Sequence, residues 1–332
     1  MVLKWSLILL GLSLPLLSHG AWYSEEQDIM GTTTGVMFEV EDETQGPQLA
    51  DAVFAEFKRF DRIYSSYSND SMLSLVNQKA AQGPQKISDE FLYLIGESLE
   101  FYEQTQGLFD ITYAAVGNTY DYRKGLKPSA AGLQAKLHLI DSQGLRLNLK
   151  AKTLEFSKAG MRIDLGGVGK GYVVDQAIEI LKASGVQHAS VFAGGDRRFH
   201  GLHGDRPWMM GIRHPRDPKR LALKMPIHSA AVSTSGDYER YFIDDEGLRH
   251  HHIVHPKTGE SPREVVSATV IGKEAMITDA MSTSVLLAGV QEGLQLIDAQ
   301  PDLEVVVIDH QGKVHYSSGL VSPATHKEGS TQ

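Results

Sequence analysis

The segment Ile277-Thr278-Asp279-Ala280-Met281-Ser282-Thr283-Ser284 opens an apolar helix. Asp279 and Thr283 stand four residues apart, so their oxygens share one face of the first turns. One carboxylate with hydroxyl and carbonyl oxygens is a hard-ligand set, matching Mg²⁺ or Ca²⁺ rather than a soft metal. The same acid also suits a first-turn residue that complements the helix dipole. A second candidate is Ile163-Asp164-Leu165-Gly166-Gly167-Val168-Gly169-Lys170-Gly171-Tyr172. Four glycines in a strand-to-helix turn let the backbone approach a ligand, and N–H groups at the helix start attract phosphate. Gly171 after Lys170 rules out a Walker A loop, which needs Ser or Thr there, and the spacing is not G-x-G-x-x-G. A tight connection between strand and helix is the plainer reading.

Three further clusters carry polar chemistry. Ala193-Gly194-Gly195-Asp196 closes the apolar run 188–192 and suits either a ligand-facing sheet edge or a hairpin turn. Thr234-Ser235-Gly236-Asp237-Tyr238-Glu239-Arg240 precedes His250-His251-His252-Ile253-Val254-His255-Pro256-Lys257-Thr258-Gly259. Consecutive histidines point in different directions, whereas zinc sites use spacings such as His-x-x-x-His. One imidazole facing a ligand would be the natural general base near neutral pH. A polar hairpin with incidental histidines is the alternative.

The elements that must hold these groups alternate between strand and helix. Apolar spacing predicts a strand over 35–40, helices over 49–64 and 89–104 with Asp89 as N-cap, and a loop over 65–85. Residues 125–144 show weak periodicity, and 145–149 with 153–156 suggest a hairpin. A helix follows Gly167 and stops at Gly185. Strands are expected at 188–192, 208–212, 221–225, 231–233, 267–271, 303–308 and 313–316, with helices at 275–288 and 291–299. The fold class is α+β, with mixed or antiparallel sheets and flanking helices.

The chain has 332 residues, 32 Lys and Arg, 41 Asp and Glu, no cysteine and a net charge of −9. It is long enough for one large domain or two smaller ones. Without cysteine there is no thiol nucleophile, Cys-zinc site, disulfide or Cys-linked lipid anchor. The acidic balance argues against nucleic-acid binding. Lys4, the apolar run 7–17 and Ser18-His19-Gly20-Ala21 have the pattern of a secretory signal peptide over 1–20, so the expected compartment is the periplasm. Residues 21–322 form the expected working domain, of one piece or of two subdomains with the site between them, and 323–332 a flexible tail.

Taken in order, these clusters resemble the ApbE family of FAD:protein FMN transferases. The motifs are Met30-Gly31-Thr32, Ser65-x-Tyr67-x-x-Asp70-Ser71 with Asn77, Gly107-Leu108-Phe109-Asp110-Ile111-Thr112, Asp164 to Tyr172, Gly194-Gly195-Asp196, Thr234 to Tyr238, His252-Ile253-x-x-Pro256-x-Thr258-Gly259 and Thr278-Asp279-Ala280-x-x-Thr283. Ile111 stands where the family commonly has Pro, and His255 where it often has Asp. The resemblance implies an ApbE-like (T-fold-related) architecture and a Mg²⁺-dependent reaction. In it FAD is split at its pyrophosphate, FMN is joined to a Thr or Ser hydroxyl of an acceptor protein, and AMP leaves. It further implies FAD contacts at Met30, Tyr67, Leu108, Phe109, Asp110, Asp164, Lys170 and Ile253, ion ligands at Gly167 (by its carbonyl), Asp279 and Thr283, and His252 as base. The implied acceptor is a redox protein with a Thr-containing motif, a membrane redox-complex subunit, which the enzyme would meet as a peripheral protein at most. Two alternatives use the same residues: an FAD pyrophosphatase, and a periplasmic protein that only holds the flavin.

Overall fold

Eight strands form one wholly antiparallel sheet within residues 20–320, the part of the chain described by the computed structural model. The expected tail, and the expected leader apart from Gly20, lie outside those residues. In spatial order the strands are Ala21–Ile29, Thr32–Val40, Ala189–Ala193, Asp196–His200, Ala231–Gly236, Val265–Gly272, Glu304–Asp309 and Val314–Tyr316. Two of them carry little sequence signal. Ala21–Ile29 is a polar edge strand, paired with Thr32–Val40 from Ala21 opposite Val40 to Ile29 opposite Thr32. Asp196–His200 carries Asp, two Arg and His, and pairs with Ala189–Ala193 through a two-residue turn at Gly194-Gly195.

Helices Gly46–Tyr64, Gly169–Ala183 and Ala275–Ala288 cover one face of the sheet. Their buried residues include Phe54, Phe57, Val174, Ile178, Met281 and Val285, which join Phe38 and Val191 in the main core. Each such side chain contributes roughly 1.5–3 kcal/mol on burial. A long hairpin, Trp208–His214 with Asp217–Ile227, packs on the other face. There Trp208 and Ile227 meet Phe199 and Val232, while Ile212 meets Val266, Val306 and Ile308.

The expected helices over 49–64, 89–104, 275–288 and 291–299 are present, as is the hairpin Leu145–Asn148 with Thr153–Phe156. Three expectations need correction. The loop over 65–85 contains the helix Met72–Lys79, whose N-cap Ser71 accepts from Ser74 N–H at 3.0 Å. Ser88, not Asp89, caps Asp89–Gln104, by accepting from Phe91 N–H at 3.1 Å. Residues 125–144 contain the short helix Ala130–Leu137.

The segment 161–165 before the glycines belongs to no helix or sheet. Asn77 holds it like a strand partner, receiving Ile163 N–H at 2.7 Å and donating to Ile163 C=O at 2.9 Å. The glycines then serve packing as well as the loop. A Cβ at Gly171 would lie 2.2 Å from the carbonyl oxygen of Ala275, so the two helices approach backbone to backbone. Gly96, inside Asp89–Gln104, has nothing within 4 Å of its Cβ position. Gly171→Ala should therefore cost about 3 kcal/mol or more, while Gly96→Ala should gain about 0.5–1 kcal/mol. Urea unfolding of both variants checks this, and equal stabilities would refute the backbone contact.

Candidate active site

Helix Gly169–Ala183 and helix Ala275–Ala288 exchange carboxylates. Asp175, on the first, accepts the N–H groups of Ala275 and Met276, each at 2.9 Å, and is paired with Arg198 at 2.9 Å. Asp279, on the second, accepts Gly171 N–H on Oδ2 at 3.1 Å. Asp279 lies past the first turn of Ala275–Ala288, so it does not serve the start of its own helix as the sequence allowed, but that of the neighbouring one.

Lys170 sits between Asp279 and a third carboxylate. Its ammonium pairs with Asp196 and lies 3.5 Å from Asp279 Oδ2. Burial works against that charge, but Asp196 and Asp279 outweigh it and raise the lysine pKa. Asp279 is pushed up, first by burial and then by Asp196, with Lys170 pulling the other way. Two buried carboxylates sharing one ammonium leave negative charge that a cation would relieve.

Oxygen donors for such a cation converge here. Thr283 shares the Asp279 face of its helix, and its Oγ1 lies 3.2 Å from Ser235 Oγ. A Cβ on Gly167 would fall 3.9 Å from Thr283 Oγ1 and 2.9 Å from the Phe109 ring, so Phe109 fills the space a side chain would need. Gly167, Asp279 and Thr283 are therefore brought together. Among the described residues no three His, Asp or Glu side chains form a metal cluster. An ion at this place would rest on one carboxylate with hydroxyl and carbonyl oxygens, a hard-cation set. Beside it, hydroxyls line the contact between strand and helix: Ser233 to Thr278 and Ser235 to Ser282, each at 2.8 Å, with Ser282 donating to Asp279 C=O at 3.0 Å.

The three adjacent histidines separate by partner. His250 Nε2 contacts Asp244 at 2.8 Å, and His251 Nε2 contacts the Pro262 carbonyl at 2.8 Å. His252 donates its backbone N–H to Arg240 C=O at 3.0 Å, and its buried Nδ1 has no partner. Burial, followed by the charges of Arg240, His251 and Lys170, pushes its pKa down to about 3. The ring is a neutral base throughout the physiological range.

The remaining expected contacts surround this centre. Met30, at φ +58°, and Gly31 form the turn between the first two strands. A cleft of about 500 Å³ opens there, lined by Asp28, Met30, Gly31, Lys58 and Asp61 among others, but not by Lys170, Asp279 or His252. Tyr67 is 78% exposed, and its hydroxyl receives Arg240 at 3.2 Å. Leu108 and Ile253 pack on the main core. Asp164 accepts Gly166 N–H at 2.7 Å and Tyr113 O–H at 3.4 Å. Asp110 is different: it is buried, and its carboxylate receives Thr112 N–H at 2.7 Å, Ser142 O–H at 2.8 Å and the Thr112 hydroxyl. The side chain shapes the Phe109 loop from within.

Asp196, Asp175, Ser235 and Arg240 complete the arrangement. Asp196 stands in the glycine motif and Ser235 and Arg240 in the Thr234–Arg240 cluster, whereas nothing in the local pattern marks Asp175. Gly194, at φ +60°, makes the hairpin turn that aims Asp196 at Lys170, so the hairpin reading of that motif holds. Asp237 is taken by Arg216 of the long hairpin, through two contacts of 2.6 Å. His255 Nδ1 accepts Lys257 N–H at 3.1 Å, the turn-closing role an Asp carboxylate would fill.

The sequence model of the ApbE family matches residues 30–307, most of the described chain. The chain belongs to the ApbE family. A relative from Vibrio cholerae serotype O1 named FAD:protein FMN transferase is 28% identical over 318 residues, covering 92% of this chain and 94% of its own. The crystal structure of the ApbE protein from Thermotoga maritima superposes with a TM-score of 0.83 at 29% identity, covering 90% of this chain and 98% of that one. The flavin transferase ApbE from Vibrio cholerae gives 0.79 at 26% identity, with the same coverage. The expected α+β architecture is therefore the ApbE fold.

The neutral state of His252 is directly measurable. Its ring resonances should stay unprotonated down to about pH 4 in an NMR titration, and a midpoint near 6.5 would show a freely solvated imidazole instead.

Proposed function

We propose that this chain is an enzyme that transfers FMN from FAD to a Thr or Ser hydroxyl of an acceptor protein, with Mg²⁺ and with release of AMP. The observation that carries the reading is the group of Lys170 between the buried carboxylates of Asp196 and Asp279 at a helix N-terminus, with the neutral ring of His252 close enough to feel the Lys170 charge. The names of the relatives, FAD:protein FMN transferase, support it.

Phosphoryl transfer asks for positioning and charge neutralisation more than for covalent help. In the proposed reaction the acceptor oxygen forms a bond to the FMN phosphorus as the bridging P–O bond breaks, and AMP leaves with that electron pair. His252 takes the hydroxyl proton on its free ring nitrogen. Lys170 presents its ammonium to the pyrophosphate, and helix-start N–H groups face the same charge. Met30, Tyr67, Leu108, Phe109, Asp164 and Ile253 hold the flavin nucleotide, and Asp110 acts through the loop it shapes. Gly167 C=O, Asp279 and Thr283 would hold Mg²⁺, which would supply positive charge to neutralise the pyrophosphate oxygens. The energy comes from FAD itself, which suits the periplasm, the location we assign from the N-terminal leader pattern. The acceptor we assign is a redox subunit of a membrane complex bearing a Thr motif, met by this enzyme at the membrane surface. No helix among the described residues is long and apolar enough to cross a membrane.

Incubation with FAD and Mg²⁺, with and without a candidate acceptor, tests the reading. Flavin fluorescence on the acceptor in a denaturing gel, together with AMP, is expected. FMN release without protein-linked flavin would make the chain a pyrophosphatase, and intact FAD would make it a binding protein. Asp279→Ala should remove Mg²⁺-dependent turnover. Because the raised pKa of Asp279 lets protons compete with the cation, Mg²⁺ affinity should weaken on acidification at a higher pH than an ordinary carboxylate would give. Calorimetric titration at several pH values measures this, and a pH-independent affinity would take Asp279 out of the ion site.

A further inference from the structure

We infer that Arg240 is a positioning residue for flavin transfer: its guanidinium ties the Met30–Gly31 turn to the Tyr67 loop, while its backbone carbonyl holds His252. The guanidinium donates to Tyr67 Oη at 3.2 Å and to Gly31 C=O at 3.4 Å. These partners lie 173 and 209 residues away in sequence, so the contacts join segments that nothing local brings together. The carbonyl of the same residue receives His252 N–H at 3.0 Å. One residue thus fixes the spacing between two expected flavin contacts and the base.

Arg240 is exposed, and its contacts are polar. An exposed arginine with only such contacts adds little to folding stability, so a strong effect on turnover would have to come from geometry or charge. The fork shape of the guanidinium suits the first, because Lys has no planar pair of donors with which to span two acceptors. For the second, the charged or titratable groups that act on the His252 ring are Arg240 itself, His251 from the adjacent strand and Lys170 from helix Gly169–Ala183. All three charges disfavour its protonation, and that of Arg240 is the foremost of them after burial, while the Arg240 backbone, which a side-chain change leaves in place, acts the other way. Loss of the Arg240 charge therefore raises the His252 pKa, whereas Lys at 240 keeps the charge and removes the fork.

The inference rests on flavin transfer being the reaction of this chain, and the experiment separates the two. Wild-type protein, Arg240→Lys and Arg240→Met are compared for FMN transfer, for the KM of FAD, for thermal stability and for the NMR titration of His252 without flavin. Arg240→Lys and Arg240→Met should both lose about tenfold or more in kcat, since small misplacements near a reacting group are costly. KM and melting temperature should stay close to wild type. The His252 midpoint should rise in Arg240→Met and stay in place in Arg240→Lys. Unchanged kcat in Arg240→Met overturns the inference. So does a rise in KM that matches the loss of turnover, which would make Arg240 a binding residue, or an equal fall in thermal stability, which would make it structural. Absence of FMN transfer by the wild-type protein overturns the reaction instead, and the flavin-free titration still reports whether Arg240 governs His252.

Discussion

The site depends on two helices that start side by side and cap each other. Asp175 closes the N-terminus of Ala275–Ala288, and Asp279 closes that of Gly169–Ala183. Hydrogen bonds to a charged group each contribute about 1.5–3 kcal/mol, and a carboxylate at a helix N-terminus adds up to ~1 kcal/mol more. The exchange is possible only at backbone contact, which requires glycine at 171. Once it is made, Lys170 is held one residue before Gly171 and must face both Asp279 and Asp196. The charge pattern of the site follows from a packing constraint.

Much of this was legible in the sequence. Long periodic segments such as 49–64 and 275–288 announced their helices, and the ordered motifs identified the residues gathered at Gly167, Asp279 and Thr283. What stayed hidden depends on partners distant in sequence. Asp175 looks like any polar residue on a helix until Ala275 lies against it. Asp196–His200 escaped notice because it holds Asp, Arg and His at places where pattern reading expects apolar residues. Met72–Lys79 is too short for its apolar spacing to stand out, although Ser71 was a cap in plain view.

The glycines taught a mixed lesson. In sequence they suggested backbone laid open to a ligand. In the fold Gly169 makes room for Phe60, Gly171 for Ala275 and Gly167 for Phe109. Gly167 also lies beside Thr283, and Gly171 gives its N–H to Asp279. The histidines resolve more simply, because Asp244 and the Pro262 carbonyl engage Nε2 of two of the rings, whereas no such contact takes the third.

The hydroxyl contacts between strand Ala231–Gly236 and helix Ala275–Ala288 carry a direction as well as an attachment. The Asp279 carbonyl can only accept, so Ser282 gives it its single proton. Ser282 must then accept from Ser235, and Ser235 in turn from Thr283. The polarity of the whole row is set from its far end. Thr283 spends its hydrogen inward on Ser235, and its lone pairs are left for whatever lies on the other side.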